Sequence, residues 1–234
     1  MPNPGDHYKF WKVDEVAFAR TVRLKGQFDK EEWPARIDSV QYLANPVSKN
    51  NEPIHYPRTH LVAYRLAAEP DRRNERRWVT FTNQFGAGRW ILTDPFFLLV
   101  PAGKTFPPET PGMPPPNTVD HFVCYVVRET DPVTREVTLV DQFDRRREKR
   151  ERITRLEPAF FGVPVSKNNE PIINPAVHLT IYDIVPTDTL NPPFLVWTKD
   201  QLRPSILTAR ESKMLAVPSE KTGWGPDDGG DIPT

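Results

Sequence analysis

Four of the five histidines open the same short pattern: HYKFWKV at His7, HLVAYRL at His60, HFVCYVV at His121 and HLTIYDI at His178. Imidazoles are the commonest metal ligands and titrate near neutrality. About 20 residues after each comes a second block (VRLKGQF, VTFTNQF, VTLVDQF, VWTKDQL), which brings Gln27, Gln84, Gln142 and Gln201 into register. A third block (NPVSK, VPAGK, VPVSK, VPSEK) supplies Lys49, Lys104, Lys167 and Lys221, each three residues after a proline. A side chain that returns once per unit serves the unit, so the four copies are expected to lie apart. The histidines should bond backbone carbonyls at strand entrances. The glutamines should satisfy turn backbone, as buried amides must. The lysines should sit solvated in loops. Neither a metal nor a cofactor is expected.

One stretch is repeated without change. VSKNNEPI fills residues 47–54 and returns at 165–172. Elsewhere the corresponding segments differ widely, and polar loops ordinarily vary more than strands. Part of the identity is conformational, because Asn50, Asn51, Asn168 and Asn169 tolerate left-handed backbone and Pro53 and Pro171 fix an extended exit. The other reading is a contact made by both copies, with Lys49, Asn50, Asn51, Glu52, Lys167, Asn168, Asn169 and Glu170 as candidate interaction residues.

These side chains must be placed by strands. Three ordered blocks in four copies divide the chain into tandem units of about 58 residues, a period to be sought before any other feature. Each block is rich in β-branched and aromatic residues and bounded by turn formers. With 27 prolines, long helices are disfavoured; RESKML, within 210–215, is the one segment expected to form a helical turn. The expected class is all-β: two similar antiparallel sandwich or barrel halves, at 1–105 and 119–222, that superpose over 7–105 and 121–222. A Pro-rich linker or strap, 106–118, joins them, and a Gly/Pro/Asp tail, 223–234, follows. A four-bladed propeller is the alternative. The block prolines should mark strand ends, edges or bulges.

The blocks resemble a bacterial family of repeat domains of unknown function, with HFKCYKV-like, QFG and CVPVxK-like motifs, from about His7 to Lys221. The resemblance implies no known activity and no catalytic residues. It does imply cysteines at the fourth place of the first block and just before VP in the third. Here those places hold Phe10, Ala63, Cys124 and Ile181, and Ala44, Leu99, Gly162 and Ala216. If the family's cysteines pair, this chain replaces each bridge by packing, which suits a reducing compartment, and Cys124 is a buried remnant.

Formal net charge is zero, from 31 basic and 31 acidic residues. A neutral chain has no whole-molecule field for nucleic acid or anionic lipid. No apolar run approaches the roughly 20 residues of a membrane span, and MPNPGDHYKF is not a signal peptide. A cytoplasmic or intracellular assembly is expected, with export after signal removal as the alternative. DRRREKRERITR, residues 144–155, is either a basic finger for phosphate or an acidic partner, or a solvated hairpin with alternating charge. The two glycines of NQFGAGRW, residues 83–90, are expected in a hairpin turn. No phosphate loop, GxSxG, HExxH or CxxC occurs. Asp227 and Asp228 are a carboxylate pair in the Gly-rich tail.

Three functions follow. The leading one is a non-enzymatic structural or protein-interaction protein of a larger assembly, acting through surface loops on a protein partner or in a homo-oligomer. Trp224 is its candidate anchor in a neighbour's groove. The second is a carbohydrate-binding module, with Trp33, Trp90 and Trp224 as a platform for a glycan. The third is an enzyme of unrecognised type with a carboxylate-lined cleft.

Overall fold

The computed structural model describes residues 5–68, 75–114, 118–128 and 130–227. The first unit contributes β1 (His7–Gly26) and β2 (Trp33–Lys49). The second gives β3 (His60–Leu66), β4 (Arg77–Asn83) and β5 (Gly86–Thr105). The third gives β6 (His121–Arg128), β7 (Val133–Val140), the short helix α1 (Gln142–Arg146) and β8 (Glu151–Lys167). The fourth gives β9 (Val177–Val185), β10 (Thr189–Asp200) and β11 (Pro204–Pro226). The fold is all-β and antiparallel, as expected, but both halves share one barrel-like sheet instead of forming one each. RESKML lies inside β11, and the helical turn is instead α1, nucleated by a capping box of Asp141 and Asp144.

Antiparallel ladders run β1–β2, β2–β3, β3–β5, β5–β6, β6–β8, β8–β9, β9–β11 and β11–β1. Eight strands therefore close one ring, with both repeat pairs in it. The ladders between units continue the ladders within them, unlike the separate blades of a propeller. Closure leaves the ring itself without a free edge. In each unit the strands run on past the ring as a hairpin arm, and the arm tip pairs with the end of the unit across the ring. Leu24 meets Lys167, and Lys49 meets Leu139, so the first and third units exchange arms. Asp200 meets Ala102, and Glu220 meets Thr82, so the second and fourth do the same.

The block prolines occupy gaps in this pattern. Pro46 pairs with Tyr8 on one side, while on the other the β2–β3 ladder ends at Ala44 and the β2–β7 ladder starts at Ser48. Pro164 sits likewise between Gly162, paired with β9, and Val165, paired with β1. A residue without an N–H costs no ladder bond where one partner strand hands over to the next.

Alternate residues face the barrel lumen, which side chains fill. The lumen cluster contains all eight places at which the family resemblance implies cysteine except Gly162, which has no side chain to offer. The two sets are direct cross-strand partners: Phe10 with Ala44, Ala63 with Leu99, Cys124 with Gly162, Ile181 with Ala216. Each pair joins a larger residue to a smaller one, and the Cys124–Gly162 pair is the smallest of the four. Cys124 is fully buried and its thiol is pushed well up by burial. A Cβ built on Gly162 would lie 3.7 Å from Cys124 Sγ and 3.1 Å from Leu179 Cβ. The substitution Gly162→Cys should thus form a cross-strand disulfide on oxidation, read as loss of both thiols to a labelling reagent after unfolding. Two thiols still titratable after oxidation would contradict the pairing.

The second core lies between the outer ring face and the arms. The fifth place of the first block, Trp11, Tyr64, Tyr125 and Tyr182, points into it and is buried at every copy. Each meets the arm tip of the unit across the ring. Trp11 packs on Phe143 with centroids 5.3 Å apart, Tyr125 on Phe28 at 5.4 Å, and Tyr182 on Phe85 at 5.5 Å. Their polar atoms bond the residue before the block glutamine: Trp11 Nε1 donates to Asp141 (2.7 Å), Tyr64 Oη to Asp200 (2.7 Å), and Asn83 donates to Tyr182 Oη (3.1 Å). In NQFGAGRW, Gly86 follows the hairpin turn with φ of 125°. Gly88 has a different reason: the Phe81 ring lies on it, 2.6 Å from where a Cβ would be.

The linker crosses Gly103 so closely that a Cβ there would fall 1.9 Å from Gly112 O, and Pro111 is buried. Residues 106–114 contain a turn and no strand. Of the tail, residues 223–226 extend β11 along β4, pairing Trp224 with Val79. Asp228 and the rest of the tail lie outside the described residues.

Candidate functional site

The octapeptides form two equivalent networks at the end of the barrel where β1 and β6 begin. In each, both asparagines have positive φ: 52° and 66° at Asn50 and Asn51, 51° and 67° at Asn168 and Asn169. The Glu52 N–H bonds Lys49 O and the Glu170 N–H bonds Lys167 O (2.9 and 3.0 Å), closing type I′ turns. Lys49 and Lys167 are buried, against the solvated loop position expected. Glu52 and Glu170, three residues on, bind their ammonium groups at 2.8 and 2.7 Å and make burial tolerable. The other oxygen of each carboxylate accepts from the block glutamine of the next unit, Gln84 or Gln201, at 2.8 Å. His7 Nε2 meets Gln84 Oε1 at 3.2 Å, and His178 Nε2 meets Gln27 Oε1 at 3.3 Å. The block histidines thus reach a glutamine more than a backbone carbonyl; His178 Nδ1 alone also contacts one, Ala176 O, at 3.2 Å. The pairing does not recur in this form at the other two histidines: Gln142 belongs to α1, and the buried His60 Nδ1 and His121 Nε2 have no hydrogen-bond partner.

Asn50 and Asn168 explain why this turn tolerates little change. Each backbone N–H donates to the arm strand from the opposite unit, at Thr138 O and Arg23 O (2.8 Å each). Each side-chain Oδ1 then accepts from the same residue's N–H, at 2.9 and 3.0 Å. The asparagine adds one rung to the ladder that holds the foreign arm, which glycine or aspartate would not reproduce with the same geometry and charge. Asn51 also accepts from Arg150 at 3.2 Å.

Burial holds His7, His121 and His178 down to about 4; Lys49 and Lys167 add to this at His7 and His121. Their folded values lie below the unfolded value of about 6.5. The stability they contribute is present above pH 6.5 and falls as the pH drops through 4, at about 1.4 kcal/mol per tenfold change in proton affinity. Urea denaturation should show stability declining steadily between pH 6.5 and pH 4. A flat profile over that window would contradict the neutral, buried placement.

The densest polar cluster is under the third unit's arm. Lys9, fully buried, is bound by both oxygens of Asp144 (3.0 and 2.9 Å) and by Glu151. Asp141 accepts from Trp11 and from Asn45 (2.8 Å), and Asn45 accepts from Lys104 (2.6 Å). Burial pushes Lys104 down to about 7; burial and Asp141 push Asp144 up to about 6. DRRREKRERITR is therefore not a wholly solvated hairpin: Asp144 and Glu151 are core residues. Asp144, Glu151 and Asp188 have metal-ligand spacing, within 4.8 Å. Lys9 already lies against the first two, and Arg147 (2.6 Å) and Lys149 (2.6 Å) bind Asp188, so the charge is met by side chains. Asp227 is paired with Arg76 at 2.7 Å.

Two clefts flank the barrel mouth. One, of about 530 Å³, is lined by His7, Glu52, Pro53, Asn83 and Gln84; the other, of about 380 Å³, by His121, Glu170, Pro171, Gln201 and Met113. The equivalent octapeptide residues line equivalent clefts. The proposed tryptophan platform is not assembled. Trp33 and Trp90 are buried, while Trp224, 40% exposed, leans on Phe28 with ring centroids 4.9 Å apart and planes tilted by 55°.

A different surface, absent from the sequence reading, is apolar. On the outer face of the fourth unit's arm Leu195 is 48% exposed and Ile206 58%. They flank Trp197, which is opposite Ile206 in the β10–β11 ladder. A slot of about 490 Å³ runs between Trp197, Ile206, Pro204 and Pro111, with Lys199 and Arg203 at its edge and no carboxylate in its lining. The alternation of β10, with Leu195 and Trp197 on one face and Val196 and Thr198 buried on the other, was a signal for it.

No helix among the described residues is long and apolar enough to cross a membrane. A family model described as a repeat of unknown function (DUF7450) matches residues 60–218. No curated protein and no solved structure matches the chain.

Proposed function

The chain belongs to the DUF7450 repeat family, and from its geometry we propose that it is a non-enzymatic structural or protein-interaction protein of a larger assembly. The observation that carries this reading is the apolar flank of Leu195, Trp197 and Ile206. Contiguous exposed apolar surface around a slot marks a contact site, and the mixture of an aromatic, an arginine and aliphatics is that of an interface core. The interior supports the same reading. The polar clusters brace arms against the ring, and the histidines stay neutral to about pH 4 and so are poorly placed as general acids near neutrality. Seven apolar or small residues at the places where the family resemblance implies cysteine fit a reducing, intracellular setting. The octapeptides open to solvent at Asn51 and Asn169, where a partner would meet them. The double substitution Leu195→Asp, Ile206→Asp should leave the melting temperature nearly unchanged and reduce the native mass of the particle in extracts of its own cells. An unchanged particle would refute the role of this flank.

A glycan is the second reading. The two mouth clefts favour it, being lined by amides and carboxylates with prolines beside them. Saturable binding to a glycan array, lost in Glu52→Ala and Glu170→Ala together, would establish it.

A further inference from the structure

The slot on the fourth unit's arm has a counterpart that is already filled. Units two and four exchange arms, so the edge of β10 in one corresponds to the edge of β4 in the other. On β4, residues 223–226 lie as an added strand: Trp224 pairs with Val79 and Gly225 with Trp78. The glycines let the Trp78 ring lie on the backbone, 2.8 Å from where a Cβ of Gly225 would be. On β10 the corresponding strand is the end of β5, which stops at Thr105 opposite Trp197. The next residues, Phe106, Pro107 and Pro108, cannot continue a ladder, and the chain turns away. Leu195, in register with Trp78, is left uncovered. Ile206 is exposed too and Trp197 is half-buried, and the buried Ser205 Oγ in the slot lining has no partner. Before Trp197 the edge of β10 has no paired strand on the β5 side among the described residues, and the slot beside it is lined by Trp197, Ile206, Pro204 and Pro111.

We propose that residues 228–234 of a second copy of this chain occupy the slot. Their sequence, DGGDIPT, offers two carboxylates to Lys199 and Arg203. It offers adjacent glycines for the faces of Leu195 and Trp197, as Gly223 and Gly225 serve Trp78, and Ile232 with Pro233 for Ile206, Pro204 and Pro111. The segment cannot serve its own slot. The described chain ends on β4, which the exchange of arms places on the opposite side of the barrel axis from the β10 slot. Seven residues reach at most about 25 Å. Eight strands about 4.8 Å apart make a barrel roughly 15 Å across, and covering layers add about 10 Å on each side, so the path half-way round is roughly 50 Å. The contact is therefore between different surfaces of two copies, and it propagates into a ring or a filament. This inference deepens the assembly reading and rests on it.

Sedimentation of the pure protein at low salt should show concentration-dependent association between about 1 and 100 µM. Removing residues 228–234 should abolish it, and Asp228→Asn with Asp231→Asn should weaken it roughly tenfold, as should raised salt. The decisive arm mixes two variants that are each monomeric alone: one lacking residues 228–234, and one carrying Ile206→Asp. The intact segment of the second and the intact slot of the first should give a one-to-one dimer and no larger species. A synthetic DDGGDIPT peptide should quench Trp197 fluorescence in the shortened variant. A pure protein that stays monomeric, association that survives the deletion, or a mixture that fails to dimerise would each overturn the proposal. Should the pure protein be monomeric while the particle in its own cells still depends on Leu195 and Ile206, the segment is wrong and the assembly reading stands. If that particle is also indifferent to the flank, both fail.

Discussion

Replacing Lys9 by Met lowers the stability of the fold by about 3–5 kcal/mol, the cost of removing one partner from a buried ion cluster. Lys9 is the only one of the four residues at the third place of the first block that carries charge; the others are Val62, Val123 and Thr180. Its ammonium is fully buried against Asp144 and Glu151. Without it two carboxylates face each other with Arg147 as the remaining cation on Asp144. Removing Lys9 raises the folded pKa of Asp144 further above its unfolded value. A group raised in this way stabilises at low pH and loses that contribution as the pH rises through its folded value, so the loss should be smaller at pH 5 than at pH 7. Adding Asp144→Asn and Glu151→Gln to the Lys9 variant should recover part of the loss. Equal stability of the single variant and the parent in guanidinium titration would contradict the cluster.

Phe143→Ala should cost a similar amount, about 3–5 kcal/mol, by the transfer and cavity terms for a buried aromatic. Phe143 is fully buried, with Trp11 at 5.3 Å, Phe194 at 5.0 Å and Phe106 at 5.9 Å between ring centroids. It is the point at which the third unit's arm is locked to the first unit. Hydrogen exchange should therefore show amides of β7 and the start of β8 opening well before the ring strands β1, β2 and β6. Uniform loss of protection across the ring would mean that the arm is not a separable layer.

The block pattern was enough to reveal four β units, because each block is a contiguous run with its own turn residues. The ring was not legible, since the ladder between the second and third units is built from the same blocks as the ladders inside units. The exchange of arms was equally hidden: Leu24 finds Lys167, and Trp11 finds Phe143, across distances in sequence that no local pattern encodes. The octapeptides were read correctly at Asn50, Asn51, Asn168 and Asn169, where left-handed backbone leaves a residue-level signature. Lys49 and Lys167 were misplaced because a lysine in a polar turn looks solvated until its glutamate, and the glutamine from the next unit, are seen to enclose it. Trp33 and Trp90 looked available as a platform for the same reason: the covering arms come from elsewhere in the chain. The flank at Leu195 is exposed because of prolines after Phe106, nearly 90 residues earlier in the sequence.

Hydroxyl-radical footprinting of the particle in extracts of its own cells, set against the dilute pure protein, tests the central claim most directly. The account predicts that oxidation of Trp197, Leu195 and Ile206 falls severalfold in the particle, while Val185, exposed elsewhere at 43%, is oxidised equally in both. Equal oxidation of Trp197, Leu195 and Ile206 in particle and pure protein would contradict it.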